Sequence, residues 1–246
     1  MKSRLDKLLV DRGLAPSRER AQALILAGKV MANEQKVMKA GAPVEIDAPL
    51  RILGEQLRYV SRGGLKLERA IEHWNIDVSG LACLDVGAST GGFTDCLLQH
   101  GASRVLAVDT GYGQIDLKLR NDPRVGLLEK KNARYLKQED VLHEIDLFVM
   151  DVSFISATLV LPAVVEAAFT NTRAGKMGVV LVKPQFEAGR KYVGKGGIVR
   201  DEDAQLTAVA RVRGKLLDLG ATRTDWIDSP ILGAEGNREF LLCGTW

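Results

Sequence analysis

Residues Cys83–Asp95 read CLDVGASTGGFTD, and this stretch decides the fold of the larger part of the chain. A short apolar run, Leu84 to Val86, meets a turn holding Gly87, Gly91 and Gly92. Phe93 then opens an amphipathic stretch through Leu97 and Leu98 to His100. Strand, tight turn and helix in that order put glycines where backbone passes close to a ligand. A second apolar run, Arg104 to Val108, ends in Asp109. An acid at the end of the second strand, about 20 residues past the glycine loop, is placed to accept hydrogen bonds from both hydroxyls of a ribose. The glycine spacing is not GxGxxG, and Asp85 sits inside the motif, where it would repel a pyrophosphate. A carboxylate there suits a ligand carrying positive charge, such as the amino group and sulfonium of S-adenosylmethionine. The candidate cofactor-binding set is therefore Asp85, Gly87, Ala88, Ser89, Thr90, Gly91, Gly92, Phe93 and Asp109. It favours a methyltransferase over a dehydrogenase; the plainer alternative is a βα turn with no ligand.

The 246 residues suffice for one large domain and a small one, and 46% hydrophobic content supports a real core. The net charge of +3 is unevenly placed: residues 1–40 hold nine Lys/Arg against four Asp/Glu, so that segment is +5 and the remainder −2. A basic segment on a near-neutral body suggests a polyanion, most simply nucleic acid. The alternative on charge alone is a solvated charged face. Cys83, Cys96 and Cys243 have no metal-ligand spacing and read as buried apolar residues in a reducing compartment. The N-terminus lacks an apolar signal core, and no run reaches the roughly 18 apolar residues needed to span a membrane. The expectation is a soluble cytoplasmic protein with no membrane partner and no metal.

Leu5, Leu8 and Leu9 form a helical stripe that stops at Gly13. Ser17 is the candidate N-cap of a second helix carrying Ala21, Leu24 and Ile25, which Gly28 ends. Val30 to Val37 reads as two short strands around Asn33-Glu34, followed by residues 41–46. Arg4, Lys7, Arg18, Arg20 and Lys29 surround this unit. The stretch RLDKLLVDRGLAPSRERAQALILAGKV and its hairpin resemble the small RNA-binding domain named after ribosomal protein S-four, over about residues 1–50. The resemblance implies binding of structured RNA by phosphate contacts and shape, with those five basic residues as candidates. One departure is the turn: Glu34 follows Asn33 where Asn-Gly is usual, because both central residues need positive φ.

Residues 51–58 read as the junction, giving domains 1–58 and 59–246. In YVSRGGLKLERAIEHW, from Tyr59, one helical face carries Leu67, Ala70, Ile71 and Trp74 to pack on the sheet. Another carries Arg62, Lys66, Arg69 and His73 as a basic stripe, which adds Arg62 and Arg69 to the RNA-binding candidates. A charged helix is expected after Asp109 to about Arg120, then a third strand at Val125–Leu128. Asn132 follows it, where such folds often face the adenine. Asp146–Asp151 is the fourth strand, and its apolar run marks a buried parallel strand. A helix from Leu159 leads to a fifth strand, Met177–Val182, ending in Lys183. Asp151 and Lys183 thus stand at carboxyl ends, where open α/β sheets place ligands. The stretch QFEAGRKYVGKGGIVRD reads as a mobile loop over the site, or an ordinary surface loop. A helix from Glu202 to Leu219 and two final strands, Thr222–Ile227 and Glu239–Leu242, close the sheet as an antiparallel pair.

Asp151 and Lys183 from strand ends, Glu239 from the last strand and Lys66 from the basic helix can surround one cofactor. That set suits methylation of an alcohol, which must lose its proton as it attacks. A lysine serves as base when its pKa falls towards neutrality, and Lys66 beside Lys183 would favour that. Base-amine methylation usually goes with an Asn/Asp-Pro-Pro-aromatic motif, and Asp151-Val152-Ser153-Phe154 has no proline. Pyrimidine-carbon methylation needs a cysteine near that strand, and none is there. A structural ion pair is the alternative for Asp151 with Lys183.

Taken together, YVSRGGLKLERA, LDVGASTGGFTD, AVDTGYGQ, MDVSFIS, LVKPQFE and GNREFLL resemble the TlyA, or hemolysin A-like, family, related to the FtsJ ribose methyltransferases. The resemblance runs nearly end to end. It implies an α/β, Rossmann-like class I S-adenosylmethionine-dependent methyltransferase with a small N-terminal α+β RNA-binding domain. It implies 2′-O-methylation of ribosomal RNA, free or in ribosomal subunits. The family's Lys-Asp-Lys-Glu tetrad falls on Lys66, Asp151, Lys183 and Glu239, with Lys183 as base; Asp151 also belongs to the cofactor set. Three other readings compete: an RNA-binding protein whose methyltransferase fold no longer catalyses, a membrane-lytic protein, and a small-molecule O-methyltransferase.

Overall fold

The computed structural model describes residues 2–53, 58–170, 174–233 and 235–246. The chain folds as two compact units, Met1–Leu57 and Arg58–Trp246.

In the first unit the order is β1 (Lys2–Arg4), α1 (Leu5–Asp11), α2 (Arg18–Leu26), β2 (Val30–Ala32), β3 (Gln35–Lys36), β4 (Pro43–Glu45) and β5 (Leu50–Ile52). Leu5, Leu8, Leu9, Ala21 and Ile25 bury the facing stripes of the two helices. Ser17 caps α2 by accepting the Arg20 N–H at 3.2 Å. The hairpin between β2 and β3 turns at Asn33 (φ 50°) and Glu34 (φ 58°), both left-handed as a tight primed turn requires. Glu34 holds this conformation without a glycine, and its carboxylate accepts from Arg51 at 3.0 Å. Residues 43–45, which follow the hairpin, pair with β1. The junction begins as β5, which pairs with the other edge of β2; positions 54–57 of it lie outside the described residues.

The second unit is one seven-stranded sheet with helices on both faces. Its elements are α3 (Gly63–Trp74), β6 (Ala82–Val86), α4 (Gly92–Gln99), β7 (Arg104–Val108), α5 (Leu117–Arg120), β8 (Val125–Leu128), β9 (Leu147–Met150), α6 (Ala157–Ala168), β10 (Met177–Val182), α7 (Pro184–Glu187), α8 (Glu202–Asp218), β11 (Arg223–Asp228) and β12 (Phe240–Thr245). The strand order is β11-β12-β10-β9-β6-β7-β8. Strands β6 to β10 run parallel, and β12 lies antiparallel between β10 and β11.

The period of two sorts the strand residues between the faces. Leu84, Val86, Phe148, Met150, Val180 and Val182 pack with α6 and α8. Cys83, Val105, Leu147, Val149, Val179 and Leu181 pack with α3 and α4. Two covered faces explain why β9 and β10 read as continuous apolar runs.

Several elements differ from expectation. The helix after Asp109 is a single turn at α5. α6 begins two residues early, at Ala157, because Ser156 and Glu187 satisfy its first N–H groups. The stretch after Lys183 holds α7 and two short 3₁₀ turns, and Asn237 clamps it: the Val199 N–H donates to Asn237 Oδ1 (3.0 Å), and Asn237 Nδ2 donates to Gly197 O (2.9 Å). Among the described residues no helix is long and apolar enough to cross a membrane.

Candidate active site

The glycine loop between β6 and α4 is shaped by what surrounds it. Gly87 has φ 86°, and a Cβ there would lie 2.5 Å from the Asp151 carbonyl oxygen, so the loop and the end of β9 touch backbone to backbone. A Cβ on Gly92 would overlap Ser61 Oγ and come within 3.0 Å of the Gly64 N. That contact seats the start of α3 on α4. Gly91 packs against Leu119 and Ile115 rather than facing a ligand.

Two adjoining clefts run along the carboxyl ends of the strands, sharing Gly87, Ser89 and Asp151. One, of about 300 Å³, is walled by Asp109, Gln114, Asn132 and Phe154. Asp109 is fixed at both oxygens: the Ser89 N–H donates to Oδ2 at 2.8 Å and the Gly111 N–H to Oδ1 at 2.7 Å. Each oxygen keeps a lone pair for a further donor. Asn132 also faces this cleft, but its Oδ1 accepts the Arg134 N–H at 3.0 Å, which leaves its amide NH₂ as the group it can offer.

The other cleft, of about 270 Å³, is lined by Ala88, Thr90, Gly92 and Phe93 from the loop and by charged groups from four elements. Lys66 Nζ donates to Glu239 Oε2 at 2.5 Å, and both side chains are buried. Lys183 Nζ lies 2.6 Å from Asp151 Oδ1 and donates to Ser153 Oγ at 2.7 Å. Arg62 stands exposed at the rim.

The sequence set Lys66 in a basic stripe and also at the site beside Lys183. The structure buries it, both lysines line this cleft, and each lies against a carboxylate. The stripe keeps Arg62, Arg69 and His73 exposed.

Asp85 lines neither cleft. It lies fully buried beneath the loop, where Thr94 Oγ1 donates to its Oδ2 at 2.6 Å. Burial above all, with Asp151 and Asp109 nearby, pushes its carboxyl up to about 7. Its Oδ1 is buried with no hydrogen-bond partner among the described residues. An unpartnered acidic oxygen under the loop and a pre-oriented carboxylate beyond it fit a ligand with an ammonium at one end and a ribose at the other. S-adenosylmethionine meets that requirement.

Sequence reasoning missed Ser153 and Phe154. Phe154 is 92% exposed and left-handed at φ 65°, with its ring 5.6 Å from that of Phe186. A positive φ at a phenylalanine has no signature in the sequence.

In the first unit, Asp6 is buried and gathers donors from three side chains. Arg4 Nε and Nη2 lie at 3.0 and 2.8 Å, Arg18 Nη2 at 3.2 Å and Gln22 Nε2 at 2.9 Å. These bonds, Arg4 first, hold the Asp6 carboxyl well below the usual carboxylate range. Arg4 and Arg18 remain about half exposed, and Lys7, Arg20 and Lys29 are exposed.

Comparison with known proteins supplies the family. The FtsJ-like methyltransferase model matches residues 59–246, and the S4 domain model matches residues 3–48. The 16S/23S rRNA (cytidine-2′-O)-methyltransferase TlyA of Mycobacterium tuberculosis is 45% identical over 242 residues, 98% of this chain and 89% of that protein. Hemolysin A of Brachyspira hyodysenteriae is 42% identical over 239 residues, 97% of this chain and 98% of that protein. A solved structure from Streptococcus thermophilus superposes with a TM-score of 0.73 at 42% identity, covering 99% of this chain and 88% of that one.

Proposed function

The chain belongs to the FtsJ-like methyltransferase family, with an S4 domain ahead of the catalytic unit, and from that premise we propose that it methylates ribose 2′-hydroxyls of ribosomal RNA. The observation that carries this reading is the second cleft: two lysine–carboxylate pairs face one space beside the loop that Asp109 anchors. S-adenosylmethionine, when bound, supplies a methyl group on a sulfonium. Asp109 accepts from the cofactor ribose, the loop from Gly87 to Phe93 forms the floor, and Asp85, buried beneath that loop, favours the ammonium through its charge.

The remaining steps belong to the chain. Lys183 Nζ accepts the proton of the acceptor 2′-hydroxyl, which is too weak a nucleophile while protonated. Asp151 holds that nitrogen in place. Lys66, fixed by Glu239, donates to the acceptor ribose and orients it for in-line attack. Phe154 offers an exposed ring on which a base can stack, and Arg62 meets phosphate at the rim. Arg4, Lys7, Arg18, Arg20 and Lys29 of the S4 unit contact phosphates, as does Arg69 of the second unit.

The name of the M. tuberculosis relative makes a cytidine in 16S or 23S rRNA the first substrate to try. The test is to incubate the protein with S-adenosylmethionine and unmodified rRNA or subunits, then digest to nucleosides and weigh them. A 2′-O-methylated nucleoside supports the reading; a methylated base, or none at all, defeats it.

A further inference from the structure

The nitrogen of Lys183 is held by two groups, and only one is a carboxylate. Lys183 leaves the end of β10 just before α7. Its Nζ meets Asp151 Oδ1 at 2.6 Å and Ser153 Oγ at 2.7 Å. Both partners sit on the segment after β9, which the Asp151 N–H ties to the Val86 carbonyl of β6 at 2.9 Å. An amine nitrogen is tetrahedral. The nitrogen carries Cε at one corner and sends one N–H to Ser153 Oγ, while the Asp151 carboxylate lies beside it as an ion-pair partner without a hydrogen bond, so a corner remains for the cleft that Lys183 lines. In the neutral amine that corner carries the lone pair.

We propose that Ser153 is a positioning residue, whose Oγ accepts the one directed N–H of Lys183 and so aims the amine lone pair at the acceptor hydroxyl. This rests on the reading of Lys183 as base. In the step, the 2′ O–H bond breaks as an N–H bond forms on Lys183. The O–H electron pair makes the new O–CH₃ bond, and the C–S pair leaves with the cofactor sulfur. The ammonium then holds three donors and later yields one proton to solvent; Ser153 is chemically unchanged. Without Ser153, the amine turns freely about its Cε–Nζ bond beside Asp151, and the fraction of time it is aimed falls.

The experiment is single-turnover methyl transfer to rRNA across pH for the full-length protein and its Ser153→Ala, Ser153→Thr and Lys183→Ala variants, with S-adenosylmethionine affinity measured by calorimetry. For Ser153→Ala we expect the plateau to fall roughly tenfold. Ser153 also lines the cleft that Asp109 walls, so the rates are compared at saturating S-adenosylmethionine. Ser153→Thr, which keeps the hydroxyl, should regain most of the rate. A wild-type plateau in Ser153→Ala or an equal loss in Ser153→Thr would overturn the proposal. Retained turnover in Lys183→Ala would instead defeat the reading of Lys183 as base, whatever the Ser153 variants do.

Discussion

Asp85 in β6 and Asp109 after β7 are the two acids beside the glycine loop, and their surroundings give them opposite properties. Asp109 is held by two backbone N–H groups and stays open to the cleft. Asp109→Ala should weaken S-adenosylmethionine roughly 10²- to 10⁴-fold, the value of a pair of hydrogen bonds to a charged group; unchanged affinity in calorimetry would place the ribose elsewhere. Asp85 has its carboxyl pushed up to about 7 by burial, against about 4 in an unfolded chain. A raised folded value favours folding below the unfolded one, and that contribution is lost as pH rises through 7. A cationic ligand favours the ionised form. Cofactor affinity should therefore climb from about pH 6 to about pH 8, with proton release on binding, and Asp85→Asn should flatten the climb. Affinity independent of pH in the wild type would mean that the ammonium does not meet Asp85. Lys183→Ala should cost roughly 10²- to 10⁴-fold in single-turnover rate, the usual worth of a general base.

At the level of elements, the strands decided how much could be read in advance. β6, β7, β9 and β10 are covered on both faces, so their apolar runs are visible without a partner. β1, β4 and β5 have three residues each, too few to show a period, and their pairing depends on distant segments. Lys66 shows the same limit at the site. A helical wheel sets it with Arg62 and Arg69, but Glu239, 173 positions away, takes it inside. Asp151 and Lys183 were legible at strand ends, Glu239 beside the last strand and Lys66 on its helix, while their pairing, and the part of Ser153, were not. The seat of α3 on α4 carries its own test. Gly92→Ala would press a methyl group against Ser61 and the Gly64 backbone, which a helix start can relieve only by moving. A loss of about 1–3 kcal/mol in denaturant unfolding is expected, with weaker methyl transfer as Lys66 shifts. Wild-type stability would mean that this contact yields freely.

Across the whole molecule, charge divides the labour. The excess positive charge lies in residues 1–40, and the S4 unit holds Arg4 and Arg18 in fixed directions through buried Asp6. Replacing both arginines by alanine should weaken rRNA binding and reduce the slope of log K against log salt by about 2. An unchanged slope would move the phosphate contacts off these residues. Asp6 is depressed by its arginines, so its contribution to the stability of this unit is present above the ordinary carboxylate range and is lost as pH falls below it.

The central claim is that the paired-lysine cleft moves a methyl group to a ribose oxygen, and one measurement tests it most directly. Labelled methyl from S-adenosylmethionine is offered to unmodified small- and large-subunit rRNA and to assembled subunits, with wild type and Lys183→Ala side by side, and the product is mapped by nuclease. Label at a ribose 2′-oxygen, lost in Lys183→Ala while cofactor affinity is kept, is the expected result. Label on a base, or undiminished transfer by Lys183→Ala, would contradict the account.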